Sequence, residues 1–591
     1  MITGPGAAML DAKLFVARLD GSFRDLYERW WDGDEWVWVH HGRPNGLAVT
    51  GVPGAAMMNQ KLFIVVDDGS LWERHWHGTG WAWVDHGKPG GRRITMGPGA
   101  AMMDEKLFVV TDDGALWERH WYGTGWNWVS HGTPPGTRVA TAPGAAMMDS
   151  KLFVGCADGR MFERHWHGSG WGWVDHGAPP GTRVATAPGA AMMDSKLFVG
   201  CADGRMFERH WHGSGWGWVD HGAPPGTAVA TAPGAAMMNS KLFVGCADGR
   251  MFERHWHGTG WGWVDHGAPP GTGVASAPGA AMMDSKVFVS TADGRLFERH
   301  WHGSGWGWVD HGAAIHDQGQ HVIGAPGTDP KLTIVVMGEG YAESELAAYR
   351  AHVDMLVVGS LRLDLLAAHQ AAFRVVRVDL VSVEPGASER RYNADGSMAS
   401  EMLRNSRLGI IPNDSWNRCW FDQSALSASR IDKVRRRFAP DADHVLVLVN
   451  SGTFGGCSSL GPGTALFTRG SGTMVVAHEL GHNLFQLADE YAGDNAFTGV
   501  SRFANTSEAL TDWTTLKWFD LVDAGTPLPT DEAAPPAGWN RGRSVGAFEG
   551  AGASFATGVF RPVLECRMNQ NKPPWCPVCG RKIALDLEAF E

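Results

Sequence analysis

A fixed 45-residue period constrains this chain more than any other feature. A Trp-x-Trp-Val motif followed by His-Gly recurs seven times, its first Trp at Trp36, Trp81, Trp126, Trp171, Trp216, Trp261 and Trp306. A Pro-Gly-Ala-Ala-Met motif travels with it, at Pro5, Pro53, Pro98, Pro143, Pro188, Pro233 and Pro278, and only the first unit is longer, by three residues around Phe23 to Asp25. A period in the 40s marks a repeat architecture. In the unit 143–187, four short runs rich in aromatic and aliphatic residues are separated by Asp158-Gly159 and Gly168-Ser169-Gly170, both hairpin turn signals. Four strands in one such unit make a propeller blade, and no stretch has the uninterrupted 3.6 periodicity of a helical repeat. Seven units predict a closed, all-β, seven-bladed ring over residues 1–314, in which each blade covers the apolar face of the next.

Glu-Arg followed by Trp is held in every unit, even the divergent first three, where it reads Glu28-Arg29 with Trp31, Glu73-Arg74 with Trp76 and Glu118-Arg119 with Trp121. The later units carry Glu163, Arg164 and Trp166; Glu208, Arg209 and Trp211; Glu253, Arg254 and Trp256; and Glu298, Arg299 and Trp301. Two readings stand side by side. One is a surface ion pair beside core aromatics, repeated by symmetry. The other is a carbohydrate-binding site in each blade, with Trp stacking on a sugar face while Glu and Arg hydrogen-bond its hydroxyls. His165 and His167 share a strand face, but the first unit has Trp30 and Asp32 there, so a metal pair is not expected. Cys156, Cys201 and Cys246 are replaced by Arg18, Val66, Thr111 and Thr291 elsewhere and read as strand filler. Phe-Glu-Arg-His-Trp, Gly-Trp-Val-Asp-His-Gly and the period together resemble the seven-bladed PLL-type bacterial lectin propellers. That resemblance implies glycan partners, fucosylated or O-methylated.

Beyond Gly312 the pattern changes. Residues 315–330 read as a linker, and 331–591 as an α/β domain, with strands at Leu332–Met337, Phe373–Leu380 and His444–Val449 and a helix over Ser344–Leu366. Within it lies His478-Glu479-Leu-Gly-His482. On a helix the two imidazoles share a face and can bind one Zn²⁺, while Glu479 is placed to take a proton from the attacking water. A third protein ligand is required. Asp489 is the nearest candidate and Glu490 the next. In an unbroken helix Asp489 would lie ~10 Å along the axis from His482, so the chain must turn after about Phe485.

His478-Glu-Leu-Gly-His482 with Leu487-Ala-Asp-Glu-Tyr491, Gly338-Glu-Gly-Tyr341, Val449-Asn-Ser451, Val559-Phe-Arg-Pro562 and Cys566-Arg-Met568 resembles the IgA-peptidase family of zinc metallopeptidases. The resemblance implies a zincin-like domain that hydrolyses peptide bonds, with Met568 as a floor beneath the metal. It does not imply immunoglobulin A as substrate. Cys566, Cys576 and Cys579 offer three ligands of a second metal site, with Cys419 or Cys457 as a possible fourth; a disulfide or plain packing is the alternative.

The whole chain thus reads as a multidomain zinc endopeptidase, targeted to glycoprotein by a carbohydrate-binding propeller. The rival is a multivalent lectin or adhesin with an inactive or self-processing peptidase half. A net charge of −12 argues against nucleic-acid binding, and no apolar run is long enough for a membrane span. The N-terminus lacks a basic region followed by a long apolar one, so no secretory signal is expected; location is left between the cytoplasm and export by a route other than Sec.

Overall fold

The computed structural model describes all residues except 1, 2, 4, 5, 11, 12, 21, 22, 34, 56–60, 104, 105, 146–150, 191–195, 236–240, 280–285, 315, 328, 394, 413–420, 423, 424 and 459–462. The chain forms two compact units, Met1–His316 and Asp317–Glu591.

The first unit is a run of seven antiparallel sheets, one per repeat. Six have four strands in sequential order; the seventh has three, with a bridge between Gly279 and Phe288 where the others have their first strand. In the fourth sheet Gly144–Ala145, Lys151–Gly155, Met161–Trp166 and Trp171–Asp175 pair in turn. Gly159 (φ 86°) closes one of its hairpins and Gly168 (φ 86°) the next, a left-handed conformation that favours glycine. Each apolar cluster joins neighbouring blades: Phe153 and Met161 pack with Leu197, Val199 and Phe207. The same packing closes the ring, with Leu14, Val16 and Tyr27 against Phe288 and Leu296. The indole Nε1 of Trp173, Trp218, Trp263 and Trp308 each donates to the carbonyl of a His in the preceding blade, and Trp38 makes the closing bond to His311 O at 3.1 Å. Cys156, Cys201 and Cys246 are free and buried among these clusters.

The second unit is built on a six-stranded sheet. Its strands are β1 (Gln318–Ile323), β2 (Leu332–Glu339), β3 (Phe373–Asp379), β4 (His444–Val449), β5 (Gly456–Ser458) and β6 (Thr464–Thr468), in the order β1-β3-β2-β4-β6-β5. The four central strands are parallel; β1 and β5 run antiparallel at the two ends. The span expected as a linker, 315–330, therefore contains a strand. Its alternation is polar, because an end strand need not be buried on both faces, and that hid it among linker-like residues. All eight residues of β2 are buried, and they alternate between faces: Ile334 and Val336 join one core, Val335 and Met337 the other.

Among the described residues, the helices of eight residues or more are α1 (Leu346–Val353), α2 (Ala425–Phe438), α3 (Thr473–Phe485) and α4 (Pro577–Leu587). α2 sends Ile431 and Val434 into one core and α3 sends Val476, Leu480 and Leu484 into the other. The single helix expected over 344–366 is broken. A 3-10 turn at Glu343–Glu345 precedes α1, and a π turn at Asp354–Val358 follows it. The π turn brings Leu356 and Val357 into the core that holds α3, so tertiary packing overrides the regular period.

Candidate metal centre and catalytic cleft

Every residue of α3 from Val475 to Phe485 is buried, consistent with its nearly continuous apolar sequence. The helix stops at Phe485 because Gln486 adopts a left-handed conformation (φ 52°, ψ 39°), and the Gln486 and Leu487 N–H groups close back on His482 O and Gly481 O. The chain therefore reverses within a few residues and returns Asp489 to the two imidazoles. Gly481 has a separate reason to be glycine: a Cβ there would come within 2.6 Å of Met568 Sδ and 2.8 Å of the Trp575 ring. Met568, wholly buried, thus lies directly beneath the helix that carries both histidines.

His478 Nδ1 lies 2.8 Å from Arg567 O, and His482 Nδ1 lies 2.7 Å from Leu487 O. A carbonyl only accepts, so each Nδ1 carries the proton and each Nε2 presents a lone pair. The two Nε2 atoms are 3.0 Å apart. Asp489 Oδ1 stands 3.0 Å from one and 3.3 Å from the other, yet accepts no hydrogen bond. Three potential ligand atoms thus face one point. That is the donor set of a divalent cation with nitrogen and oxygen ligands, and His478, His482 and Asp489 could hold one. Glu490 does not join them.

The electrostatics follow from the same crowding. Without a cation the cluster answers this crowding by taking up a proton: burial alone would lower the His482 pKa, but the adjoining Asp489 carboxylate, with Glu479 adding, carries it up to about 9. Burial also raises Glu479 above the usual carboxylate range, against the pull of both imidazoles. Glu479 borders β5, where a Cβ on Gly456 would come within 3.1 Å of its Oε1, so glycine at 456 leaves the carboxylate its room.

A cleft of about 590 Å³ opens over this cluster, lined by His478, Glu479, His482 and Asp489 together with Gly456 and Tyr491. That volume suits a bound chain segment of a few residues. Tyr491 closes the Leu487-Ala-Asp-Glu-Tyr491 motif. Burial and the neighbouring Asp489 push its phenol up to about 12, so it keeps its proton at the mouth of the cleft.

Residues 323–536 match the IgA peptidase M64 family. The second unit is therefore a peptidase domain, and the match includes His478, Glu479, His482 and Asp489 but ends before Cys566. No curated protein matches the chain. Among solved structures, one of the mitotic checkpoint complex is 13% identical over 51% of this chain and 89% of that one, at a TM-score of 0.38. BamB from Moraxella catarrhalis is 13% identical over 53% and 88%, at 0.34. YCF48 bound to D1 peptide is 12% identical over 50% and 90%, at 0.37. Likenesses at these TM-scores carry no argument, and the propeller rests on its own seven sheets.

In the propeller the repeated Glu and Arg are not where a sugar site needs them. Glu73, Glu118, Glu163, Glu208, Glu253 and Glu298 are all buried. Glu163 Oε2 accepts from His176 Nε2 at 3.0 Å, and its Oε1 takes Lys151 Nζ at 3.2 Å. His176 Nδ1 in turn accepts from Arg209 Nε of the next blade at 3.2 Å, and the Arg209 guanidinium lies 5.0 Å from the Trp218 ring. Arg74, Arg119, Arg164, Arg254 and Arg299 make the same bond to a His one blade back. These residues are rivets between blades: each carboxylate is neutralised inside the wall and has no oxygen left for a ligand. The expected surface pair of Glu with Arg is therefore replaced by interior contacts: Glu163 meets Lys151 and His176, and Arg164 meets His131. The Trp positions differ. Trp166, Trp211, Trp256 and Trp301 are each 40–41% exposed, with Trp76 and Trp121 only half-buried. Cys457 is disulfide-bonded, and Cys419 lies outside the described residues.

Proposed function

We propose that this chain is a zinc-dependent endopeptidase. The observation that carries the proposal is the convergence of two Nε2 lone pairs and Asp489 Oδ1 on one point, with the Glu479 carboxyl beside them in an open cleft. Zinc suits two imidazoles, one carboxylate and an open fourth position. A zinc ion held there would polarise the scissile carbonyl and lower the pKa of the attacking water. The chain's own groups supply the rest. The extended substrate lies beside β5, the last strand of the sheet, and adds to it as a further strand. Glu479 takes the proton of the attacking water and hands it to the departing amide nitrogen. Its raised pKa lets it hold that proton between the two steps. The Tyr491 hydroxyl donates to the oxygen that gains charge as the carbonyl carbon becomes tetrahedral.

The propeller serves as a carbohydrate-binding module, and the natural substrate is a glycoprotein. What supports this is the row of exposed tryptophans, Trp166, Trp211, Trp256 and Trp301, on equivalent positions of successive blades. Each offers a flat face for stacking on a sugar, and several weak sites on one ring bind a dense glycan surface by effective concentration. Digestion of glycosylated and unglycosylated proteins by the full chain and by Glu479→Gln tests the enzymatic core. The wild type should cleave both, and the variant, which keeps every metal donor, should lose at least ~10²-fold in rate. Equal cleavage by the two proteins would refute the assignment.

A further inference from the structure

The C-terminal cysteines gather around a residue that their spacing does not reveal. Cys566, Cys576 and Cys579 are wholly buried, free, and packed with Glu490, which is equally buried. One ligand atom from each of the four lies within 4.8 Å of every other. Cys566 Sγ is 3.8 Å from Cys579 Sγ, and Glu490 Oε1 is 3.0 Å from Cys579 Sγ and 4.0 Å from Cys576 Sγ. Zn–S bonds of about 2.3 Å and Zn–O bonds of about 2.0 Å in a tetrahedron put sulfurs about 3.8 Å apart, and oxygen about 3.5 Å from sulfur. The three distances lie within about 0.5 Å of those dimensions.

The local chemistry favours a cation over simple packing. A carboxyl group taken wholly out of water is costly unless it is paired or coordinated. Glu490 Oε1 accepts from Asn505 Nδ2 at 3.0 Å, but its Oε2 accepts no hydrogen bond. Cys576 caps the N-terminus of α4, and its sulfur accepts the Cys579 N–H at 3.4 Å. A helix N-terminus and a backbone N–H both favour a thiolate over a thiol. A disulfide between any two of the cysteines would leave the third sulfur and the buried carboxylate unaccounted for.

We propose that Glu490, Cys566, Cys576 and Cys579 form a second, structural zinc site. It ties together three segments that share no element. Glu490 follows Asp489 directly, and its N–H donates to Met568 O at 2.8 Å. Cys566 precedes Arg567, whose carbonyl fixes His478, and Met568, which underlies Gly481. α4 supplies the remaining two sulfurs. The ion has no open position, so it is a clamp. It sets the turn that delivers Asp489 and the turn that orients His478, and takes no part in bond breaking.

The two clusters differ in a way that spectroscopy reads directly, because only the second contains sulfur. The test uses full-length protein, analysed for zinc and then exchanged with cobalt(II). Wild type should hold two ions per chain, one for each cluster, and its cobalt form should show a sulfur-to-cobalt charge-transfer band in the near ultraviolet. His478→Ala/His482→Ala should lose one ion and keep the band in full. Cys576→Ser/Cys579→Ser should lose the band; if that variant does not fold, the wild type and the histidine variant decide the matter alone. A folded wild type whose cobalt form has no charge-transfer band overturns the proposal. So does a disulfide among the three cysteines in unreduced peptide maps. Loss of all metal in the histidine variant overturns it as well, and none of these results bears on the histidine cluster itself.

Discussion

Histidine meets a carboxylate in both halves of this molecule, with opposite outcomes. In six of the seven blades a buried His lies between donors and acceptors that match: Nε2–H gives to Glu, Nδ1 receives from Arg, and a Lys or a second His completes the carboxylate. In the peptidase domain both Nδ1–H groups are spent on carbonyls, and two bare Nε2 atoms and a bare carboxylate oxygen face one another. The residue types hardly differ; the proton count does. A buried polar cluster whose donors equal its acceptors is holding the fold together, while one made only of acceptors calls for a cation. In the Glu490 cluster Asn505 is a donor and the thiols can be, so there the case for a cation rests on the ligand distances.

Removing one member from each kind of cluster should therefore have different consequences. Asp489→Ala should give the largest effect: one metal ion lost per chain, and peptide hydrolysis down by at least ~10²-fold, with little change in thermal unfolding of the metal-free protein. Elemental analysis beside a peptide assay reads both. His176→Ala should do the reverse. It leaves Glu163 and Arg209 without their shared partner inside the wall and should cost the propeller on the order of 3 kcal/mol, while metal content and hydrolysis stay unchanged. Calorimetry of the full chain, with tryptophan fluorescence marking the propeller transition, separates the two cases.

Acid should act on the rivets in the same sense. Burial pushes the His311 pKa down to about 4, against the hydrogen bond that His311 gives to Glu298. The folded ring holds it neutral, and the unfolded chain takes up the proton once pH falls below about 6.5. Its contribution is thus complete above about 6.5 and is lost as pH falls toward 4, by about 3 kcal/mol at most. His41 is shifted the same way, again by burial. The propeller transition should fall to lower temperature across that window, and a flat profile would mean these histidines are solvated. The smallest effect should come from Trp166→Ala with Trp211→Ala: several-fold weaker retention on immobilised fucosylated or methylated glycans, and unchanged hydrolysis of a small unglycosylated peptide.

Much of this was legible in the sequence, for reasons that are local. The 45-residue period fixes seven blades because a repeat must bury its faces on copies of itself. The spacing of His478 and His482 fixes a shared helical face, and the distance to Asp489 requires a turn near Phe485, where Gln486 makes one. What was not legible depends on neighbours distant in sequence. Whether the repeated Glu faces sugar or the wall is decided by a His thirteen residues on and an Arg in the next blade, and alternation alone does not say which face is covered. The strand Gln318–Ile323 carries too little apolar residue to announce itself. Glu490 is the most instructive case. Next to Asp489 in a non-helical stretch, it points away from the imidazoles, and the residues it meets lie 76 to 89 positions further along the chain.

The most direct test of the central distinction is a chelation and reconstitution experiment on the full chain. Wild type and Glu479→Gln are stripped of metal, returned to zinc in increments, and followed together for bound zinc and peptide hydrolysis. In the wild type, hydrolysis should vanish on stripping and return as the histidine cluster fills, while Glu479→Gln should bind the same zinc and stay inactive. Full hydrolysis by the stripped wild type would contradict the assignment, showing that the unmatched lone pairs of His478, His482 and Asp489 have no part in the chemistry.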